Sequence, residues 1–153
     1  MYKKILVPTD GSALAGQAVA AAIDYAQATG ALVVAFSVAQ PYPMLPAVEG
    51  AMMIDPIVDS IELQALAQQA VDAVALTAQA AGVACETHTA LSFLPYEEII
   101  RAAGEYQCDV IFMASHGRRG LSRLLAGSQT QKVLAYSSIP VLVLRPASPA
   151  PAP

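Results

Sequence analysis

The amino-acid sequence predicts an α/β protein: an open five-stranded parallel sheet, Rossmann-like, strand order 3-2-1-4-5, with helices on both faces. Three observations carry this prediction. Short, continuously apolar runs at Ile5-Leu6-Val7, Leu32-Val33-Val34-Ala35-Phe36 and Val110-Ile111-Phe112-Met113 suit strands covered on both sides. Alanine-rich stretches with apolar residues at helical spacing separate them, giving the alternation of a parallel sheet. One strand-like stretch, 83 to 90, instead alternates apolar with polar residues as an edge strand does. Right-handed crossovers then place the first strand centrally and the third at an edge.

Each element has its own signal. Lys4 to Pro8 is a buried strand bounded by the turn formers Thr9-Asp10-Gly11-Ser12. In the helix that follows, Ala15, Val19, Ala22, Ile23 and Ala26 share one face, with Ser12 or Asp10 as N-cap and Gly30 as the stop. The second strand spans 31 to 38. From Gln40 to Pro56 five prolines and glycines interrupt the pattern, marking a long loop of the kind that forms a flap or contacts a partner.

A second helix is expected from about Val58 to Gly82, its inner face traced by Leu63, Leu66, Ala67, Ala70, Val71, Val74, Ala78 and Ala81. Pro95 suits a first helical turn, and Glu97 and Glu98 complement its dipole in a helix ending near Gly104. Asp109 to Met113 is the fourth strand. Gly127-Ser128 opens the last helix, which runs to about Ser137, and 139 to 144 is the fifth strand.

At 153 residues, 56% hydrophobic and 13% charged, the chain suits one domain over 1–146. Residues 147–153 alternate proline with small residues and are expected to be a disordered tail. A net charge of −4 with only eight basic residues argues against nucleic acid as a partner. With no apolar leader after Met1 and no 18-residue uncharged apolar span, the expectation is a cytoplasmic protein without membrane contact. Cys85 and Cys108 lack metal-ligand spacing and are expected to be buried thiols.

The candidate site is the stretch Ala114-Ser115-His116-Gly117, nine further residues, then Gly127-Ser128. It lies beyond the carboxyl end of a parallel strand, where a helix N-terminus offers unpaired amides and partial positive charge to a phosphate. Gly117 lets the turn close on a phosphate and Gly127 frees the helix start, or both glycines serve loop geometry alone. Ser128 and Gln129 add amides, and Ser128 adds a hydroxyl. Arg118, Arg119 and Arg123 concentrate basic charge there in an otherwise acidic chain, with one of them on the ligand and the others outward. Asp10, across the switch point between strands 1 and 4, either accepts hydrogen bonds from a ribose or adenine or caps the first helix. His116 has no partner at meaningful spacing, so no general base is assigned. The sequence also lacks a Ser-His-Asp signature, a GxxxxGK[ST] loop and a metal-ligand cluster.

These residues resemble the universal stress proteins over nearly the whole chain, from Ile5-Leu6-Val7-Pro8-Thr9-Asp10-Gly11-Ser12 to Pro140-Val141-Leu142-Val143-Leu144-Arg145. The family's ATP-binding branch carries a glycine, two residues, a glycine, nine residues, then glycine with serine or threonine. That pattern falls here on Ala114, Gly117, Gly127 and Ser128, with Ala114 replacing the first glycine. Ser92-Phe93-Leu94-Pro95 also replaces the glycine-containing turn usual before the third helix.

The resemblance implies a stress-response regulator that binds ATP, or AMP or ADP, with Mg2+ held only through the phosphates. It implies at most a slow ATPase, with a nucleotide-free scaffold as the alternative. Asp10 and the backbone around Val38 would hold the adenosine, and Gly117, Gly127, Ser128 and Gln129 the phosphates. The full candidate set is Pro8, Thr9, Asp10, Val38, Met113, Ala114, His116, Gly117, Arg118, Gly120, Gly127, Ser128, Gln129 and Thr130. The resemblance further implies a homodimer joined through the last strand, Val141 to Leu144, which would cover an exposed edge.

Overall fold

A computed structural model describes residues 1–41, 56–116 and 127–146. The loop expected at 40 to 56 therefore lies mostly outside the described residues. So do Gly117, Arg118, Gly120, the other two loop arginines and the tail. The elements run β1 (Lys4–Pro8), α1 (Ala13–Thr29), β2 (Leu32–Ala39), α2 (Pro56–Ala80), β3 (Cys85–Leu91), α3 (Pro95–Glu105), β4 (Val110–Ala114), α4 (Ser128–Tyr136) and β5 (Val141–Leu144). The sheet has the order β3-β2-β1-β4-β5, and every pairing is parallel.

Alternation along β1 divides the core into two layers. Ile5 and Val7 face α1 and α2, packing with Val19, Ile23, Val71 and Val74, whereas Leu6 faces α3 and α4 with Val34, Phe36, Ile99, Ile111 and Val133. The chain therefore winds α1 and α2 onto one face and α3 and α4 onto the other. The reversal falls between β1 and β4, whose carboxyl ends open into one crevice.

Local chemistry sets the boundaries. Ser12 is the N-cap of α1, its hydroxyl accepting from the Ala15 amide at 3.2 Å. Gly30 ends α1 in the left-handed region at φ 75°, donating to the Ala26 carbonyl, and Gly82 at φ 69° turns the chain after α2. β5 begins at Val141 rather than Ile139, because the Ile139 amide donates to Ser137 Oγ and Pro140 has no amide to give; the Pro140 carbonyl receives Ile111 instead.

Two packing expectations are corrected. The buried seam of α2 is Ala67, Ala70, Val71, Val74 and Ala78, while Leu66 is 47% exposed. Small residues lie closest to the sheet, so the larger leucine sits on the flank. Cys108 is buried, but Cys85 on the edge strand β3 is only half-buried.

Burial pushes the Cys108 thiol up to about 11, with Lys4 opposing the shift and Asp109 and Glu86 adding to it. An unfolded thiol ionises near about 8.5 to 9, so the folded chain holds the extra proton above that range, and stability falls as pH rises toward 11. In urea unfolding at pH 8 and pH 10.5, Cys108→Ala is expected to remove about 2 kcal/mol of the alkaline loss seen in the parent. An unchanged difference between the two pH values would show that another group governs the alkaline limb.

Candidate functional site

The site is assembled by three strand ends and three helix starts. After β1 the turn 9–12 satisfies itself: Thr9 Oγ1 accepts from the Gly11 amide at 3.1 Å and Asp10 Oδ1 from the Ser12 amide at 2.9 Å. Gly11 stands at φ 77°, where a residue with a Cβ would be strained. The Thr9 amide donates to the Phe36 carbonyl, the last rung joining β1 to β2. Asp10 is thus not the cap of α1. That role belongs to Ser12, while Asp10 holds the turn that presents it.

On the other side, β4 ends at Ala114, opposite Leu144 in β5. The buried Thr130 hydroxyl donates to the Ala114 carbonyl at 2.9 Å, and the Gly127 amide donates to the Ser115 carbonyl. These bonds fasten the start of α4 onto the end of β4. A Cβ at Gly127 would lie 3.4 Å from the Ser115 carbonyl oxygen and 3.6 Å from His116 Cα. These are ordinary contact distances at an ordinary φ of −58°, so the position leaves room for a methyl group but little more. Because the Gly127 carbonyl receives Gln131, the amides of Ser128, Gln129 and Thr130 precede the helix's own bonding pattern and have no intrahelical acceptor.

Ala114 sits in regular strand geometry, and among the described residues Gln107 is the only non-glycine with positive φ. The backbone at 114 therefore does not require glycine.

Between these walls lies a cavity of about 600 Å³, within the usual size of small-molecule sites. Its lining includes Pro8, Thr9, Asp10, Val38, Met113, Ala114, His116, Gly127, Ser128, Gln129 and Thr130, all candidates from the sequence. Gly117, Arg118 and Gly120 lie outside the described residues. The lining adds Ala15, Phe36, Gln40, Pro95 and Ile99. Period-two alternation in β2 puts Phe36 on the same side as Val38, so Phe36 had a signal in the sequence. Pro95 and Ile99 share a face of α3 at i, i+4, but that this face meets the switch point is set only by tertiary packing.

The structure adds the placement of three polar groups. Gln129 directs its side-chain oxygen to the Tyr96 amide at 3.0 Å, so that oxygen is engaged between the two helices. Lys132 lies with its ammonium 5.1 Å from the Tyr96 ring centroid, away from the cavity lining. His116 is 9% exposed, with Nδ1 2.9 Å from the Ser115 hydroxyl and Nε2 without a partner among the described residues. The imidazole forms part of the cavity wall. Among the described residues no group of three or more His, Cys, Asp or Glu could hold a metal ion, and no helix is long and apolar enough to cross a membrane.

The sequence profile of the Universal stress protein family matches residues 1–145. Universal stress protein MJ0531 of Methanocaldococcus jannaschii is 34% identical over 147 residues, covering 95% of this chain and 83% of that protein. A universal stress protein of Thermus aquaticus, encoded in the 3′ region of a QAH/OAS sulfhydrylase, is also 34% identical, over 95% of this chain and all of its own length. Among solved structures, hypothetical protein MJ0577 of M. jannaschii superposes with a TM-score of 0.76 at 26% identity, covering 97% of this chain and 99% of its own. Sequence and fold agree from one end of the domain to the other, and the chain belongs to the universal stress protein family.

Proposed function

We propose that this protein binds an adenine nucleotide, ATP or its mono- and diphosphates, in the switch-point cavity and acts as a homodimeric stress-response regulator. The observation that carries the reading is the cavity itself. Its lining joins the Asp10 turn and the first turn of α4, with the Ser128 hydroxyl and three amides outside the helix's own bonding, around one space.

Phe36, Val38 and Met113 give that space an apolar side suited to a base, and Asp10 gives a carboxylate suited to ribose hydroxyls. The donor set at the α4 end suits phosphate oxygens, and Mg2+ is assigned only to those oxygens. Two proteins of the same fold support the choice of ligand class. One is a universal stress protein solved in complex with cAMP, at 22% identity and TM-score 0.68, and the other is an Arabidopsis thaliana family protein with AMP bound, at 14% identity and TM-score 0.67. At such identities the likeness carries the fold, so the assignment here rests on this chain's own cavity.

The dimer reading rests on β5, an edge strand that exposes 43% of Leu142 and would be covered by a second copy.

Thermal melting tests the ligand. At a hundredfold excess over Kd, AMP or ATP is expected to stabilise the domain by about 2.7 kcal/mol, raising Tm by about 5 to 10 °C. No shift with either nucleotide at millimolar concentration, with and without Mg2+, would remove the proposal.

A further inference from the structure

The first turn of α3 depends on another helix for one of its hydrogen bonds. Pro95 has no amide proton, and the amides of Glu97 and Glu98 return to the Leu94 carbonyl at 3.1 and 3.4 Å. The Leu94 amide donates to Ser92 Oγ at 3.1 Å. Leu94 occupies the N-cap position and has no side-chain oxygen to offer. That leaves the Tyr96 amide, which donates to Gln129 Oε1 at 3.0 Å across 33 residues of sequence.

We infer that Gln129 is a positioning residue for the ligand site: its side chain caps α3 from α4 and so sets the distance between the two helix starts that wall the cavity. The walls are named by their lining, Pro95 and Ile99 on α3 against Ser128 and Thr130 on α4. Because Tyr96 presents a donor, the oxygen of the Gln129 amide must face it, which fixes the side chain's orientation. Two further contacts join the same helices, the Lys132 ammonium 5.1 Å from the Tyr96 ring and Tyr96 against Tyr136 at 5.8 Å. They hold the α3 side chain. Gln129 holds the α3 backbone.

The same residue thus joins α3 through its side chain and belongs, through its main-chain amide, to the α4 turn assigned to phosphate. A ligand seated on that turn bears on a helix start already tied to the opposite wall. This positioning role rests on the nucleotide reading above, whereas the cap does not.

Amide hydrogen exchange on the full chain, followed by calorimetric titration with AMP and ATP, tests both halves. In Gln129→Ala the Tyr96 amide is left partly buried without an acceptor, and its exchange is expected to accelerate by about fivefold or more while β1 and β2 keep their protection. Affinity for AMP is expected to fall by about three- to tenfold, the usual scale of a lost cap. Gln129→Glu keeps an acceptor and is expected to restore Tyr96 protection, while its carboxylate repels the more highly charged ATP more than AMP.

Unchanged Tyr96 exchange in Gln129→Ala would overturn the cap. Faster exchange with unaltered AMP affinity would overturn the positioning role. If the parent binds neither AMP nor ATP, the nucleotide reading and the positioning role fall together, and Tyr96 exchange still decides the cap.

Discussion

Phe36→Ala is expected to destabilise the domain by about 3 to 5 kcal/mol, the largest effect of any single truncation named here. Phe36 is 1% exposed in β2, packed in the layer beneath α3 and α4 with Leu6, Val34, Ile99 and Met113. It also forms part of the cavity wall, and its carbonyl receives the Thr9 amide. Truncation removes a large apolar surface and leaves a void that the strand backbone, bonded on both sides to β1 and β3, cannot close. Urea unfolding measures the loss. A change below about 1 kcal/mol would show that the layer can collapse around the gap.

Gly127→Leu is expected to abolish the nucleotide-dependent rise in Tm while Gly127→Ala retains most of it. The first carbon added at this position meets the Ser115 carbonyl at 3.4 Å and His116 Cα at 3.6 Å, ordinary contact distances that alanine can accept. Leucine adds three further carbons in the space where the start of α4 is fastened to the end of β4. Displacing that start moves the amides assigned to phosphate and strains the Thr130 bond to Ala114. The paired melts, with and without ATP, separate loss of binding from loss of fold. A leucine variant that keeps the full ATP shift would show that the α4 turn does not hold the phosphates.

The fold was legible because its signals are local. Unbroken apolar runs mark β1, β2 and β4 as central, the polar alternation at Glu86 and His88 marks β3 as an edge, and Gly30, Gly82 and Pro95 punctuate the helices. Asp10 and the Ala114 turn followed from the rule that such sheets present their site at the carboxyl ends beside the switch point, whereas Val38 and the full candidate set came with the resemblance to the family. What stayed hidden depends on contacts between distant elements. Nothing in the sequence around Gln129 shows that its side chain reaches Tyr96, and a glutamine beside a helix start reads equally well as solvent-facing. Leu66 fits the helical stripe by spacing, yet the approach of α2 to the sheet selects alanines and valines instead.

Ala114 was the other difficulty. The resemblance leads one to expect glycine at this position; it is an ordinary strand residue paired with Leu144, and its side chain puts one methyl group on the cavity wall. The question it raises is therefore one of ligand fit, not of folding.

The most direct test of the central claim is to denature the freshly purified protein, separate the released small molecules by chromatography, and titrate the emptied, refolded protein with AMP and ATP by calorimetry. Binding of an adenine nucleotide at about one per chain, whether carried through purification or recovered on titration, is the result expected. A protein that releases no nucleotide and gives no binding heat with either ligand would contradict it, and the cavity between the Asp10 turn and α4 would then belong to another ligand or to none.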